Sequence, residues 1–259
     1  MDPDELVFHY AWEGNIDQSG LAEPSGLVYH PAREALFAVG DEGHIAHMQT
    51  DGSDHEVQVL QDGADLEGIT LNPASGLLYV AVEGQEKVLE VDPDSLEIVR
   101  KFQIDREFRG ETVFKPEGNG TEGITFRPDE SHPEGGTFYV TNQSFGGDEE
   151  SFIMEVELPL ESGGQTGRNL RMIKPGVIDL SALYRGPGVS SMLVVSDATN
   201  SIYRLNDEGE VVDGWAFVGN DQEGLALGPD GYMYIAQDSG GIIKVWPKTL
   251  RGPKDEQGE

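Results

Sequence analysis

Short apolar runs recur along the chain, and each one opens on a polar residue followed by a small one. The clearest copies are Asp-Leu-Glu-Gly-Ile-Thr-Leu at 65–71, Gly-Thr-Glu-Gly-Ile-Thr-Phe at 120–126 and Asp-Gln-Glu-Gly-Leu-Ala-Leu at 221–227. Weaker copies are Pro-Ser-Gly-Leu-Val-Tyr at 24–29 and Leu-Ser-Ala-Leu-Tyr at 180–184. We call the polar residue that precedes the small one the landmark of each copy. The landmarks are Ser25, Glu67, Glu122, Ser181 and Glu223. Consecutive landmarks are 42 to 59 residues apart. This period predicts propeller blades.

Each landmark run leads into a turn rich in Pro, Gly or Asn and then into a second apolar run, which predicts a β-hairpin. In the second copy the turn is Asn72-Pro73-Ala74-Ser75-Gly76 and the returning strand covers residues 77–82. Third strands are predicted at 44–48, 88–91, 153–156, 202–205 and 242–246. Fainter fourth strands are predicted at 56–60, 98–104 and 211–218.

The five landmarks predict one all-β domain over residues 1–259, a β-propeller with five blades that begin near residues 25, 67, 122, 181 and 223. A strand at 6–12 is left over, and we expect residues 1–24 to complete the last blade and close the ring, which leaves no long strand edge exposed. Residues 248–259 are predicted to be a tail. Six blades is the alternative, because the segments 105–120 and 159–178 are long enough to hold strands. Their Gly, Pro and charged residues favour surface insertions.

The charge of the chain bears on its partners. It carries 48 acidic and 17 basic residues, a formal net charge of −31. Nucleic acid is therefore not expected as a partner, since its phosphates would be repelled, and a cation is the natural partner. The acids are spread along the chain, which fits a salt-adapted surface as well as an ordinary acidic secreted protein.

Composition leaves the cellular compartment open. There is no cysteine, so no disulfide framework is expected. No apolar run approaches the roughly 20 residues of a membrane span, so membrane insertion is not expected. The acidic start at residues 1–5 is unlike a signal peptide. A periplasmic or extracellular location is favoured if a signal peptide has been removed.

Hairpin geometry predicts that a second set of polar residues lies beside the landmarks. A landmark begins the first strand of its hairpin, and the polar residue about 16 positions later ends the second strand, so the two are neighbours in space. These later positions are Asp41, Glu83, Gln143, Asp197 and Asp238. Because the first strand of each blade faces the central channel, the landmark glutamates should lie near the axis with the other carboxylates around them.

Crowded carboxylates either raise one another's pKa or require a cation. The candidates are all oxygen donors and no histidine stands at a landmark, so calcium is the predicted ion and magnesium the runner-up. The predicted ligands are Glu67, Glu122 and Glu223, with Asp41, Glu83, Asn142, Asp197 and Asp238 as a second ring. The glycine after each glutamate is expected to let the backbones approach closely. Alternatively, the outer acids accept hydrogen bonds from backbone amides and join blade to blade.

The landmarks, with Pro-Ser-Gly-Leu-Val-Tyr-His-Pro at 24–31 and Leu-Phe-Ala-Val-Gly-Asp-Glu-Gly at 36–43, resemble the SdiA-regulated family of bacterial proteins. The resemblance spans roughly residues 20 to 247. It implies a propeller similar to the calcium-dependent gluconolactonases, paraoxonase-like lactonases and regucalcin, with calcium near the axis on the glutamates of the Glu-Gly positions. It implies no activity. Ser25 and Ser181 replace glutamate at two landmarks, so this ring offers three glutamates at most.

Two functions follow from these expectations. The first is a calcium-stabilised propeller that binds a small molecule or a protein at the channel mouth. The second is a calcium-dependent hydrolase of lactones or phosphoesters, in which a nearby side chain handles the proton; the candidates are Asp41, His44, Asp197 and Asp238. The nucleophile motif Gly-x-Ser-x-Gly is absent. A scaffold whose acids are merely solvated is a third option.

Overall fold

Each repeat folds into a four-stranded antiparallel sheet in the computed structural model, which describes residues 10–115, 120–144, 150–186, 191–217 and 219–247. In every unit the landmark strand is the innermost strand. The first unit contains β2 (Pro24–His30), β3 (Ala35–Gly40), β4 (His44–Met48) and β5 (Glu56–Val59). The second contains β6 (Leu66–Leu71), β7 (Leu78–Val82), β8 (Lys87–Val91) and β9 (Ile98–Ile104).

The remaining units follow the same order. The third contains β12 (Thr121–Pro128), β13 (Gly136–Asn142), β14 (Ile153–Glu157) and β15 (Thr166–Ile173). The fourth contains β16 (Leu180–Tyr184), β17 (Met192–Ser196), β18 (Ser201–Leu205) and β19 (Val211–Ala216). The fifth contains β20 (Gln222–Leu227), β21 (Met233–Gln237), β22 (Ile242–Pro247) and, as its outermost strand, β1 (Tyr10–Asn15). The N-terminal strand therefore pairs with β22 and joins the two ends of the chain.

The interpretation of residues 159–178 as a surface insertion is wrong, because they include β15, the outermost strand of the third unit. Its sequence, Thr-Gly-Arg-Asn-Leu-Arg-Met-Ile, alternates poorly because six of its eight residues are at least partly exposed and only two are buried. A short parallel pairing of β15 with β9 also connects the second and third units. The segment that begins at residue 105 holds the small hairpin of β10 (Glu107–Phe108) and β11 (Glu111–Thr112).

Hydrophobic clusters fill the interfaces between neighbouring units. The interface of the fifth and first units packs Tyr234 and Ala236 against Leu36 and Ala38, which closes the ring. Comparable clusters lie between the first and second, second and third, third and fourth, and fourth and fifth units. Each fully buried aliphatic or aromatic side chain contributes about 1.5–3 kcal/mol by leaving water. The prediction of an all-β propeller is confirmed.

The five units surround one central channel, which has two different openings. The five inner strands begin at one end, the acidic mouth, which carries the landmarks and the carboxylates near them. They end at the other, the apolar mouth, which is lined by residues such as Leu71 and Leu227. Within the described ranges, no helix is long and apolar enough to span a membrane.

Candidate metal centre in the acidic mouth

Every landmark residue lies at a β-bulge in its inner strand. The pairing of inner and second strands shifts register once in each unit, between Pro24 and Gly26, Leu66 and Ile69, Thr121 and Ile124, Leu180 and Ala182, and Gln222 and Gly224. A bulge inserts an extra residue, bends the strand and redirects a side chain. The repeated polar-small sequence is thus the local signature of a bulge that turns the landmark side chain towards the mouth.

The glycines after the landmarks lie where neighbouring inner strands approach backbone to backbone. A Cβ atom on Gly68 would stand 2.5 Å from the amide nitrogen of Ile124, and one on Gly123 would stand 2.8 Å from that of Leu183. Such distances are far below van der Waals contact, so only glycine fits there. The expected close approach is confirmed, and it forms a narrow waist between the two mouths.

Three overlapping groups of carboxylates converge at the acidic mouth, each with ligand atoms within 4.8 Å of one another. The first group is Glu67, Glu83 and Glu122. The second is Asp41, Asp65 and Glu67, and the third is Glu23, Asp41 and Asp238. Glu67 and Asp41 belong to two groups each, so the three groups form one continuous acidic surface.

Burial and mutual repulsion raise the pKa values of these acids. Glu67 and Glu122 are only 8% and 4% exposed, and burial followed by neighbouring carboxylates holds the pKa of each well above its ordinary value. Burial also raises the pKa of Glu223 to about 9, with Asp197 as the largest charge contribution. The pKa of Asp41 is raised to about 6 by burial, against the opposing effect of a hydrogen bond from Ser25.

No lysine or arginine in the described ranges forms an ion pair with Glu67, Glu122, Glu223 or Asp41. The buried Asp179, whose charge also raises the pKa of Glu223, accepts a hydrogen bond from the amide of Ala198 at 2.7 Å through Oδ2, whereas its Oδ1 atom has no hydrogen-bond partner among the described residues. Buried anionic oxygens without a partner are costly. The donor set is therefore suited to a hard divalent cation, which prefers carboxylate oxygens.

Two of the outer acids accept hydrogen bonds from backbone amides, as the alternative predicted. Glu83 accepts one from the amide of Gly120 at 3.0 Å, and Asp197 accepts one from Gln222 at 2.9 Å. Each of these bonds joins one unit to the inner strand of the next. Asp41 accepts a hydrogen bond from the hydroxyl of Ser25 in its own unit.

The other predicted residues take different positions. Asn142 accepts a hydrogen bond from the amide of Phe152 at 2.6 Å, which holds the loop of its own unit. His44 begins β4 and belongs to none of the three carboxylate groups. Glu223 is also outside those groups, although its charge raises the pKa of both Glu67 and Glu122. The three landmark glutamates therefore share one electrostatic site, but the close groups include only two of them.

Sequence reasoning missed the acidic residues two positions before the landmarks. Asp65 and Glu23 enter the carboxylate groups, and Asp179 adds its buried charge. The signal was present, because an acid stands at this position in four of the five copies: Glu23, Asp65, Asp179 and Asp221. Glu23, Asp179 and Asp221 adopt a left-handed backbone conformation, with φ of 45°, 53° and 49°. No periodicity argument reveals such a conformation.

Comparisons with known proteins place the chain in a family. The model of a family described as "Phytase-like: Esterase-like activity of phytase" matches residues 19–203. The resemblance to SdiA-regulated proteins is not confirmed. No curated protein matches the chain significantly.

Solved structures show the same fold at low sequence identity. Glutaminyl cyclase of Myxococcus xanthus is similar with a TM-score of 0.62 and 13% identity, over 91% of this chain and 95% of that one. A chain of a nidogen/laminin complex is similar with a TM-score of 0.52 and 16% identity, over 82% of this chain and 71% of that one. These likenesses concern the fold alone.

Proposed function

Because the chain belongs to the family described as phytase-like, with the esterase-like activity of phytase, we propose that its acidic mouth hydrolyses phosphoesters with the help of a bound calcium ion. The observation that carries the proposal is the group of Glu67, Glu83 and Glu122, whose ligand atoms lie within 4.8 Å of one another. Two members of the group are almost fully buried, and none pairs with a basic side chain in the described ranges.

The same carboxylates would hold the cation. Glu67 and Glu122 would bind it directly, with Glu83 and Asp65 completing an all-oxygen set typical of calcium. Glu83 keeps its hydrogen bond from Gly120 through one oxygen, Oε1, and so has a second oxygen for the ion. The bound ion would neutralise these charges, polarise a phosphoryl oxygen and attract an anionic substrate to a mouth that otherwise repels it. Magnesium is the second candidate ion.

Asp41 is the residue best placed to accept the proton. It shares a group with Glu67 and Asp65, and the hydroxyl of Ser25 donates a hydrogen bond to its Oδ1. Its other carboxylate oxygen would take a proton from a water molecule as the water oxygen attacks phosphorus. The bond between phosphorus and the ester oxygen would then break with its electron pair on that oxygen, which would take the proton from Asp41 and leave as the alcohol. Asp238, in a group with Asp41 and Glu23, is the alternative base.

The test begins with thermal unfolding of the exhaustively chelated protein, followed by calcium, magnesium or manganese added back at fixed ionic strength. At one hundred times its dissociation constant, calcium should stabilise the fold by about 2.7 kcal/mol. Hydrolysis is then measured on 4-nitrophenyl phosphate, an aryl phosphotriester, a carboxylic ester and a γ-lactone. We expect calcium-dependent release of 4-nitrophenol from a phosphoester.

The matched variants are Glu122→Gln and Glu130→Gln, which remove the same charge from the site and from an exposed turn. Glu122→Gln should abolish both the calcium-induced rise in Tm and the hydrolysis, whereas Glu130→Gln should behave as wild type. Hydrolysis that survives chelation, or that is equal in both variants, would refute the proposed site.

A binding module without catalysis is the second candidate, and the hydrogen bonds of Glu83 and Asp197 to neighbouring units favour it. In that case the acids and the cation stabilise the ring, and the mouth binds a partner. A rise in Tm with calcium, combined with no hydrolysis of any of the four substrates, would select this function. A lactone cleaved in preference to phosphoesters would instead support the predicted likeness to calcium-dependent lactonases.

A further inference from the structure

The apolar mouth contains a cavity that the proposed hydrolysis does not use. It has a volume of about 610 Å³. The glycine waist separates this cavity from the acidic mouth. The free volume between the inner strands at the waist is only about 10 Å³. A volume of several hundred cubic ångströms is typical of sites for small organic ligands, whereas the space at the waist suffices for about one water molecule. The cavity is therefore a separate compartment.

One aliphatic side chain from each inner strand lines this cavity, two residues after the landmark. These residues are Leu27, Ile69, Ile124, Leu183 and Leu225. Further out, the position four residues after the landmark is also apolar or aromatic in four strands, whereas the fourth strand has Arg185. Arg127 of the third strand also contributes to the lining.

The charge of the lining is opposite to that of the chain. Acidic residues outnumber basic ones 48 to 17 in the sequence, yet the described residues of the lining include two arginines and no aspartate or glutamate. Arg185 pairs with Asp207 at 2.7 Å, and that aspartate is 68% exposed. Because the aspartate stands in solvent while Arg185 is 22% exposed, the ion pair contributes only about 1 kcal/mol to stability, and the guanidinium group can exchange partners at small cost. Arg127 donates a hydrogen bond to the hydroxyl of Tyr139 at 3.1 Å.

We propose that this cavity binds an amphipathic organic anion, with its apolar body against the aliphatic ring and its carboxylate on Arg185 and Arg127. The aliphatic side chains would bury the body, and the guanidinium groups suit a carboxylate because they donate parallel hydrogen bonds. The site is independent of the proposed hydrolysis, because the waist separates the two compartments.

Isothermal titration calorimetry with three ligands of equal chain length tests the proposal: decanoate, decanol and decyltrimethylammonium. Decanoate should bind saturably at one site, decanol more weakly, and decyltrimethylammonium not at all. Arg185→Gln should weaken decanoate about tenfold by removing a charge-assisted hydrogen bond, and leave decanol unchanged. Arg33→Gln is the matched control, because Arg33 also pairs with an exposed aspartate, Asp94, but lies outside the cavity.

Two variants fill the cavity from different strands, Leu71→Trp and Leu227→Trp, and either should abolish binding of both decanoate and decanol. Val99→Trp adds the same side chain on an exposed outer strand and should change nothing. Glu122→Gln, which affects only the acidic mouth, should bind decanoate as wild type. The proposal is overturned if folded wild type shows no saturable decanoate binding, if the cationic ligand binds as well as decanoate, or if Arg185→Gln has no effect.

Discussion

The two mouths of the channel are formed by the same five strands but have opposite chemistry. At the acidic mouth, buried carboxylates such as Glu67 and Glu122 face one another without a basic partner in the described ranges. At the apolar mouth, two residues further along each strand, aliphatic side chains line a cavity whose charged lining residues, among those that the structure describes, are arginines. Each inner strand thus contributes to the acidic mouth at its start and to the apolar mouth at its end, and the glycine waist separates the two mouths.

The five repeated units are nearly equivalent at one mouth and differ at the other. Around the cavity the five units are nearly equivalent, since each contributes an aliphatic residue at the same position. At the acidic mouth the units differ: two landmarks are serines, and one of these, Ser181, donates a hydrogen bond to the carbonyl of Gln222 at 2.6 Å. The apolar lining is therefore nearly symmetric, whereas a cation site requires only that enough oxygen donors lie close to one point.

Closing the waist should have the largest effect on stability. Gly68→Ala places a methyl group 2.5 Å from the amide nitrogen of Ile124, and backbone cannot move away as a flexible side chain would. We expect a loss of about 3 kcal/mol, measured by urea unfolding. The control is Ala182→Gly at the equivalent position of the fourth unit, which should cost about 1 kcal/mol or less. Equal effects at both positions would show that the inner strands are not in backbone contact.

The next largest effect should be the pH dependence of the free energy of unfolding of the chelated protein. This dependence should respond to a ligand of the acidic mouth and not to a ligand of the apolar mouth. The folded-state pKa values of Asp41 and Glu223 are raised to about 6 and about 9, so both acids favour the folded state when protonated. That stability is complete below the unfolded pKa values and is lost as pH rises through the folded ones. We expect a loss of about 3 kcal/mol between pH 6 and pH 8. Saturating calcium should remove most of this dependence, and decanoate should not.

The sequence predicted much of the acidic mouth and none of the cavity. Glu67 and Glu122 were identified because glutamate before glycine recurs at the start of an apolar run, and a repeated polar residue stands out. Ile69 and Leu183 look like any core residues in the sequence, so their common cavity becomes visible only when five strands are assembled. The sequence pattern also does not reveal that Glu223 lies outside the close carboxylate groups, or that residues 166–173 form the strand β15. Both depend on bulge geometry and on pairing between distant strands.

Removing one buried charge should stabilise the chelated protein while it destroys the proposed cation site. At pH 8 the carboxyl group of Glu67 is either charged beside other carboxylates or protonated above its usual range, and both states cost free energy. Glu67→Gln removes that cost, and we expect a gain of about 1–2 kcal/mol at pH 8 and none at pH 4. Calcium should then no longer raise Tm. A variant that is less stable than wild type at pH 8 would show that Glu67 is not held at such a cost.

The smallest effect should come from the outer acids that join neighbouring units. Asp197 accepts a hydrogen bond from the amide of Gln222 at 2.9 Å, and an asparagine side chain offers an equivalent oxygen acceptor. Asp197→Ala should therefore cost about 1 kcal/mol, whereas Asp197→Asn should cost only a few tenths, as measured by urea unfolding of the calcium-loaded protein. If Asp197→Asn loses as much as Asp197→Ala and also lowers calcium affinity, the negative charge of Asp197 matters more than its hydrogen bond. The proposed cation site would then extend to the fourth unit, and its donors would be less concentrated than the close carboxylate groups indicate.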